Sequence, residues 1–92
     1  MIQSFKDDDT RRLFETGFSK HWVAIRVVAR RKLDQIEAAI NLSDLRVPPG
    51  NRLEPLKRDR AGQHSIRIND QYRICYIWKI DGAHQVEIAD YH

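Results

Sequence analysis

The residues best equipped for chemistry are three cations and a short terminal trio. Arg67 and Arg73 fall in two strand-like runs, His64-Ser65-Ile66-Arg67-Ile68 and Tyr72-Arg73-Ile74-Cys75-Tyr76-Ile77-Trp78, and Lys57 lies upstream of both. A guanidinium offers a planar fork of donors that matches phosphate oxygens, and an ammonium offers a point charge. Like charges opposite one another on a sheet are mildly destabilising, so a cross-strand arginine pair invites an anion. The plainer reading is two arginines that point into water. The trio is Asp90-Tyr91-His92. Histidine takes or gives a proton near neutral pH, tyrosine donates a hydrogen bond or stacks on a base, and aspartate can orient an imidazole. The plainer reading there is a frayed polar terminus.

The other reactive side chains form no comparable set. The histidines, at positions 21, 64, 84 and 92, show no metal-ligand spacing, and with a lone Cys75 there is no zinc pattern, so no metal site is expected. Cys75 sits within a strand pattern and reads as packed rather than nucleophilic. His64 falls on the apolar face of its run and reads as a packing residue. The chain lacks a glycine-rich phosphate loop, which argues against nucleoside-triphosphate chemistry, and no cofactor is expected. A single cysteine cannot form an intramolecular disulfide and suits the cytoplasm. No apolar run is long enough to cross a bilayer, and Met1 to Asp9 lacks the apolar core of a signal peptide. A cytoplasmic protein without a membrane partner is therefore expected.

The net charge of +3 is unevenly placed. Lys20, Arg26, Arg30, Arg31 and Lys32 occur between positions 20 and 33 without an acid, while Asp7, Asp8 and Asp9 gather near the start. A second basic stretch runs from Arg46 to Arg73 and includes Arg52, Arg58 and Arg60. This layout suits a polyanionic partner, nucleic acid or acidic protein, although a solvated helix face would look the same.

The elements that must position these groups follow from periodicity. Ile2 to Phe5 reads as a short strand. Asp7 to Asp9 suit a helix start, and Gly17 suits its end. Trp22, Ile25, Ala29, Leu33, Ile36 and Ile40 make one continuous face, which predicts a helix from about His21 to Ile40 with Ser19 as a cap. Residues 41–51, with Pro48-Pro49-Gly50, read as a loop. Leu53 to Leu56 reads as an edge strand because of Pro55. Between the two strand runs, a three-residue loop at 69–71 pairs Ile66 with Ile74, Ile68 with Tyr72 and Arg67 with Arg73. A two-residue loop would instead scramble the faces. Asp81-Gly82 marks a hairpin turn, and Gln85 to Ala89 the last strand. The sum is a single domain, residues 1–92, of the α+β class: two N-terminal helices packed on a small, mainly antiparallel twisted sheet.

Longer motifs carry a resemblance. Leu53-Glu54-Pro55-Leu56-Lys57, Gly62-Gln63-His64-Ser65-Ile66, Tyr72-Arg73-Ile74 and the closing Asp90-Tyr91-His92, with the opening Met1-Ile2-Gln3-Ser4-Phe5, resemble HigB-type toxins of the RelE/ParE superfamily, nearest to the GraT-like subgroup. The resemblance implies a RelE-like microbial ribonuclease fold. It implies a type II toxin that cleaves messenger RNA in the ribosomal A site, a HigA-type helix-turn-helix antitoxin as partner, and contact with operator DNA only through the antitoxin complex. By position, Lys57 and Arg73 match the family's cationic active-site residues, and Asp90, Tyr91 and His92 its functional tail. Two positions depart: Glu54 stands where relatives can have histidine, and Gln71 where they can have asparagine. The general base and general acid are thus left open.

The expected chemistry is attack of a ribose 2′-hydroxyl on the adjacent phosphate without a metal. Lys57 and Arg73 would stabilise charge, and Tyr91 and His92 would move protons with Asp90 orienting them. Arg67, Arg60, Gln71 and Glu54 are expected to contact RNA, with Glu54 also able to serve as a base. Arg26, Arg30, Arg31 and Lys32 are expected to meet the ribosome or the antitoxin. Two other readings stand beside this one: a ParE-like inhibitor of DNA gyrase, and a non-enzymatic RNA- or protein-binding module of the same fold.

Overall fold

In the computed structural model, which describes residues 1–90, the first helix starts where its acids predict. Helix α1 spans Asp8–Thr16. The Asp7 carboxylate accepts the Thr10 N–H at 2.6 Å, and Asp8 and Asp9 occupy the first turn, where carboxylates favour the exposed amides. Gly17, at φ 77°, closes the helix by donating its N–H to the Leu13 carbonyl. Leu13 and Thr10 are fully buried.

Helix α2 spans Arg26–Ala38 and is shorter than expected at both ends. The Ser19 hydroxyl accepts from the N–H groups of Trp22 (2.8 Å) and His21 (3.2 Å). It therefore caps an entry turn, followed by a 3₁₀ turn at Val23–Ile25, and not α2 itself. Ala29, Leu33 and Ile36 are buried as the spacing requires. Ala39 is already extended, so Ile40 leaves the stripe and stands 84% exposed. Residues 41–51 are not a plain loop but two 3₁₀ turns, Leu42–Arg46 and Pro49–Asn51.

Asn51, fully buried, ties this segment to α2. Its amide donates to the Gln35 side chain at 3.0 Å and the Leu45 carbonyl at 3.1 Å, and its carbonyl oxygen accepts from the Lys32 ammonium. Burial lowers the Lys32 pKa, and the nearby Arg31 and Arg67 charges push the same way.

The sheet has four strands in the order β1-β2-β3-β4, all antiparallel: β1 Glu54–Pro55, β2 His64–Arg67, β3 Tyr72–Lys79 and β4 Gly82–Asp90. The β2–β3 register follows from the three-residue loop, with Ile66 opposite Ile74 and Arg67 opposite Arg73. The Ile68 N–H reaches the Tyr72 carbonyl at 3.0 Å. Asn69 stabilises the turn by accepting from the N–H groups of Gln71 and Tyr72. β4 begins three residues earlier than expected and contains a bulge. Cys75 pairs with Glu87, but Ile77 pairs with His84, and Gln85 takes φ 54°. The extra residue keeps Ala83 and Val86, three apart, on one face. Ile2 and Phe5 make parallel bridges to Ala83 and Val86, so the first residues line the β4 edge.

Helices and sheet share a core of Leu13, Leu33, Ile36, Ile66, Ile74 and Tyr76, among others. The opposite sheet face carries a small cluster of Leu56, Cys75 and Ala89. Gly82 is sterically required: it sits at φ +128°, and a Cβ there would lie 2.0 Å from the Met1 carbonyl oxygen. Gly82→Ala is expected to cost at least about 1–3 kcal/mol from backbone strain. Urea unfolding should show the loss, and amide exchange at Gln3 and Ala83 should accelerate as the first segment separates. Unchanged stability and exchange would contradict the packing described.

Candidate active site

The face of the sheet turned away from the helices is built by alternate residues of β2 and β3. Ile66, Ile74 and Tyr76 point to the helices, so Ser65, Arg67, Arg73 and Cys75 point away from them. Arg67 and Arg73 are cross-strand partners, yet they neither stand side by side around an empty site nor simply point into water. The Arg67 guanidinium turns to Asp70, a fully exposed carboxylate. The Arg73 guanidinium turns toward β1. Its Nε donates to the Ser65 hydroxyl at 2.7 Å, its Nη2 donates to the Arg52 carbonyl at 2.8 Å, and the Glu54 carboxylate lies 3.4 Å away. The Arg73 side chain is only 11% exposed, whereas that of Glu54 is 49% exposed. A guanidinium held this way keeps its charge while losing rotational freedom.

Lys57 is exposed on the segment that follows β1. Residues 54–60 line a shallow cleft of about 430 Å³. Leu56 anchors the segment on Cys75 and Ala89, and its N–H donates to the Gln63 carbonyl at 2.8 Å. Arg60 fastens the other end. Its guanidinium donates to Gln63 and to Glu87, both at 3.2 Å, and Glu87 also pairs with Lys6 at 3.2 Å. The structure thus gives Arg60 two partners within the fold, beyond the RNA contact expected of it. Burial pushes the Cys75 thiol pKa up, which disfavours the thiolate and suits a packing residue.

Asp90 ends β4 opposite Tyr72, and its carboxylate accepts from the Gln71 side-chain amide at 3.1 Å. Gln71 and Asp90 are therefore brought together. Tyr91 and His92 lie outside the described residues. Among the described residues, no three His, Cys, Asp or Glu side chains come together in a way that could hold a metal ion.

The basic helix is divided. Arg26 and Arg31 are exposed, beside the exposed Val23 and Val27. Arg30 spends its fork on the end of α1, donating to the carbonyls of Phe14 (3.2 Å) and Glu15 (3.3 Å). Lys32 corrects the expectation of a surface contact, because it is 9% exposed and its ammonium is bound by Asn51. Arg26 and Arg31 lie on the outer side of α2, which covers the core face of the sheet, so they are separate from Arg73.

Several partners are not evident from the sequence: Ser65 and the Arg52 carbonyl on Arg73, Glu87 on Arg60, and Asn51 on Lys32. Ser65 has a signal. A small polar residue one step diagonal to Arg73, on the same face, is within reach of a long side chain. Glu87 and Asn51 depend on a bulge and on a folded-back loop, which leave little local trace.

Two helices on one face of a four-stranded antiparallel sheet, with a fixed guanidinium on the other face, define a small α+β protein of the RelE-like class. The sequence profile of the HigB-like toxins, described as the RelE-like toxin of the type II toxin–antitoxin system HigB, matches residues 3–92, and the chain belongs to that family. It is 41% identical over 81 residues to toxin HigB-1 of Vibrio cholerae, covering 88% of this chain and 77% of that protein. It is 30% identical over 98 aligned residues to endoribonuclease HigB of Proteus vulgaris, with both chains covered in full.

Proposed function

We propose that the chain is an endoribonuclease that cuts messenger RNA in the ribosomal A site. The observation that carries this reading is the Arg73 guanidinium, fixed by Ser65 and the Arg52 carbonyl with the half-exposed Glu54 carboxylate beside it. Membership of the toxin family and the activity for which the Proteus relative is named support it.

In the proposed step a base removes the proton of the ribose 2′-hydroxyl. The 2′-oxygen attacks phosphorus in line, the bond to the 5′-oxygen breaks, and an acid returns a proton to that oxygen. Arg73 and Lys57 stabilise the charge that builds on the phosphorane oxygens. Tyr91 and His92 carry the proton transfers with Asp90, held by Gln71, orienting them. Arg67, Arg60 and Glu54 border the RNA path. The ribosome supplies substrate alignment, a large share of catalysis when the site is shallow. A substrate with a 2′-deoxy nucleotide at the cut position tests the step. It should not be cleaved, while the matching ribonucleotide should yield a 5′-hydroxyl fragment. Equal cleavage of both substrates would remove the 2′-hydroxyl from the mechanism.

Arg26 and Arg31 are assigned to the ribosome, and a HigA-type antitoxin with a helix-turn-helix domain is the proposed inhibitor. Operator DNA is met only through that complex. Arg26→Glu with Arg31→Glu should weaken ribosome binding at fixed salt and flatten its salt dependence, by about one unit of slope for each phosphate that is no longer neutralised. The catalytic groups stay in place. Unchanged affinity and slope would contradict the assignment.

A further inference from the structure

The second strand holds a residue to which no part of the reaction has been given. Ser65 is fully buried on the sheet face turned away from the helices, beside the Arg73 side chain. Its hydroxyl oxygen accepts from Arg73 Nε at 2.7 Å. Glu54 and the Arg52 carbonyl also meet the guanidinium. Glu54 is half-exposed and its carboxylate lies 3.4 Å from the guanidinium, an ion pair weakened by solvent. The Arg52 carbonyl takes Nη2 at 2.8 Å from a residue in the left-handed region, at φ 47° and ψ 54°, whose own N–H bonds back to Pro49. Ser65 grips the guanidinium at its root, from a strand paired on both sides.

We infer that Ser65 is a positioning residue, setting the direction in which the Arg73 guanidinium faces the scissile phosphate. The inference rests on the proposed ribonuclease reading for its catalytic consequence, but the hydrogen bond itself does not. The guanidinium is one rigid plane, and Nε is its nitrogen bonded to the side-chain stem. An acceptor at Nε therefore sets the rotation of the whole plane about the Cδ–Nε bond, and the Arg52 carbonyl at Nη2 reinforces that setting. A fork held at two points meets a phosphate with little loss of freedom, and a fork held only by an exposed carboxylate does not. The sequence is consistent with this division: a hydroxyl is small enough for the diagonal position between β2 and β3, and it can accept without adding charge beside a cation.

The test is a double-mutant cycle on cleavage of ribosome-bound messenger RNA, joined to an NMR measurement that needs no activity. Ser65→Ala should lower the cleavage rate about ten-fold, the order expected for removing a hydrogen bond to a charged group. In an Arg73→Ala background the same change should alter the rate less than about two-fold, since there is no guanidinium left to aim. In wild type the Arg73 Nε–H should give a resolved signal that exchanges slowly with water, and Ser65→Ala should abolish that protection. Ser65→Cys, nearly the same size with a weak acceptor, serves if the alanine variant does not fold, and the same direction is expected. Equal costs of Ser65→Ala in both backgrounds, or an unchanged Arg73 Nε–H signal, would overturn the inference. If wild type cuts no RNA, the ribonuclease reading fails, and the Nε–H signal still decides whether Ser65 holds Arg73.

Discussion

Arg73→Ala protein should cut ribosome-bound messenger RNA about 10²–10³-fold more slowly than wild type, the usual effect when one preorganised donor is removed from a developing oxyanion. The magnitude follows from where the charge sits. The guanidinium is mostly buried and anchored through Nε to Ser65 and through Nη2 to Arg52, so it needs little rearrangement as charge grows on the phosphorane. Arg73→Lys should recover only a small part of the rate, because an ammonium keeps the charge but not the two-point fork. Single-turnover rates on programmed ribosomes would measure both. Circular dichroism should show the fold intact, because the Arg73 side chain faces away from the helices. Wild-type rates in a folded Arg73→Ala protein would take Arg73 out of the chemistry.

Asn51→Ala should be strongly destabilising, with a loss of about 3 kcal/mol or more. The side chain is fully buried and serves groups from two elements: Lys32 and Gln35 on α2, and the Leu45 carbonyl on the 41–51 segment. Alanine leaves an ammonium and a carbonyl buried without a partner, and each unpaired group bears its own desolvation cost. In a domain of this length the change should lower Tm by on the order of 10–20 °C. Adding Lys32→Met removes the stranded charge and should restore part of the stability. Thermal melts of the wild type and both variants check this. A neutral Asn51→Ala would mean that the network contributes nothing to holding the segment.

The sheet register is legible in the sequence because one fact controls it: a three-residue loop keeps Ile66, Ile68 and Ile74 on one face, and a two-residue loop scatters them. Asp7 and Gly17 mark α1 for equally local reasons, a carboxylate for exposed amides and a residue able to take positive φ. The periodicity overstates the long helix because the stripe from Trp22 to Ile40 continues through residues whose backbone does not. Trp22 packs from an entry turn, and Ile40 leaves the stripe after Ala39 extends. The bulge at Gln85 has a trace, the three-residue step from Ala83 to Val86, but alternation alone hides it.

In the site, residue type and register locate Arg73 but not its partners. Ser65 and Glu54 come from separate strands, and the Arg52 carbonyl is a main-chain group that no side-chain pattern announces. Lys32 departs from its expected surface position because a cation in a basic run looks solvated until Asn51, far along the chain, draws it inward. Tyr91 and His92 belong to the proposed chemistry through the family motif and not through the described geometry.

The most direct measurement is cleavage of messenger RNA by the purified wild-type protein, with programmed ribosomes and without them, mapped to the nucleotide. Cutting that occurs only with ribosomes, and falls within the A-site codon, is the predicted result. No cutting in either sample, together with inhibition of gyrase supercoiling by the same protein, would contradict it and assign the Arg73 face to a different target.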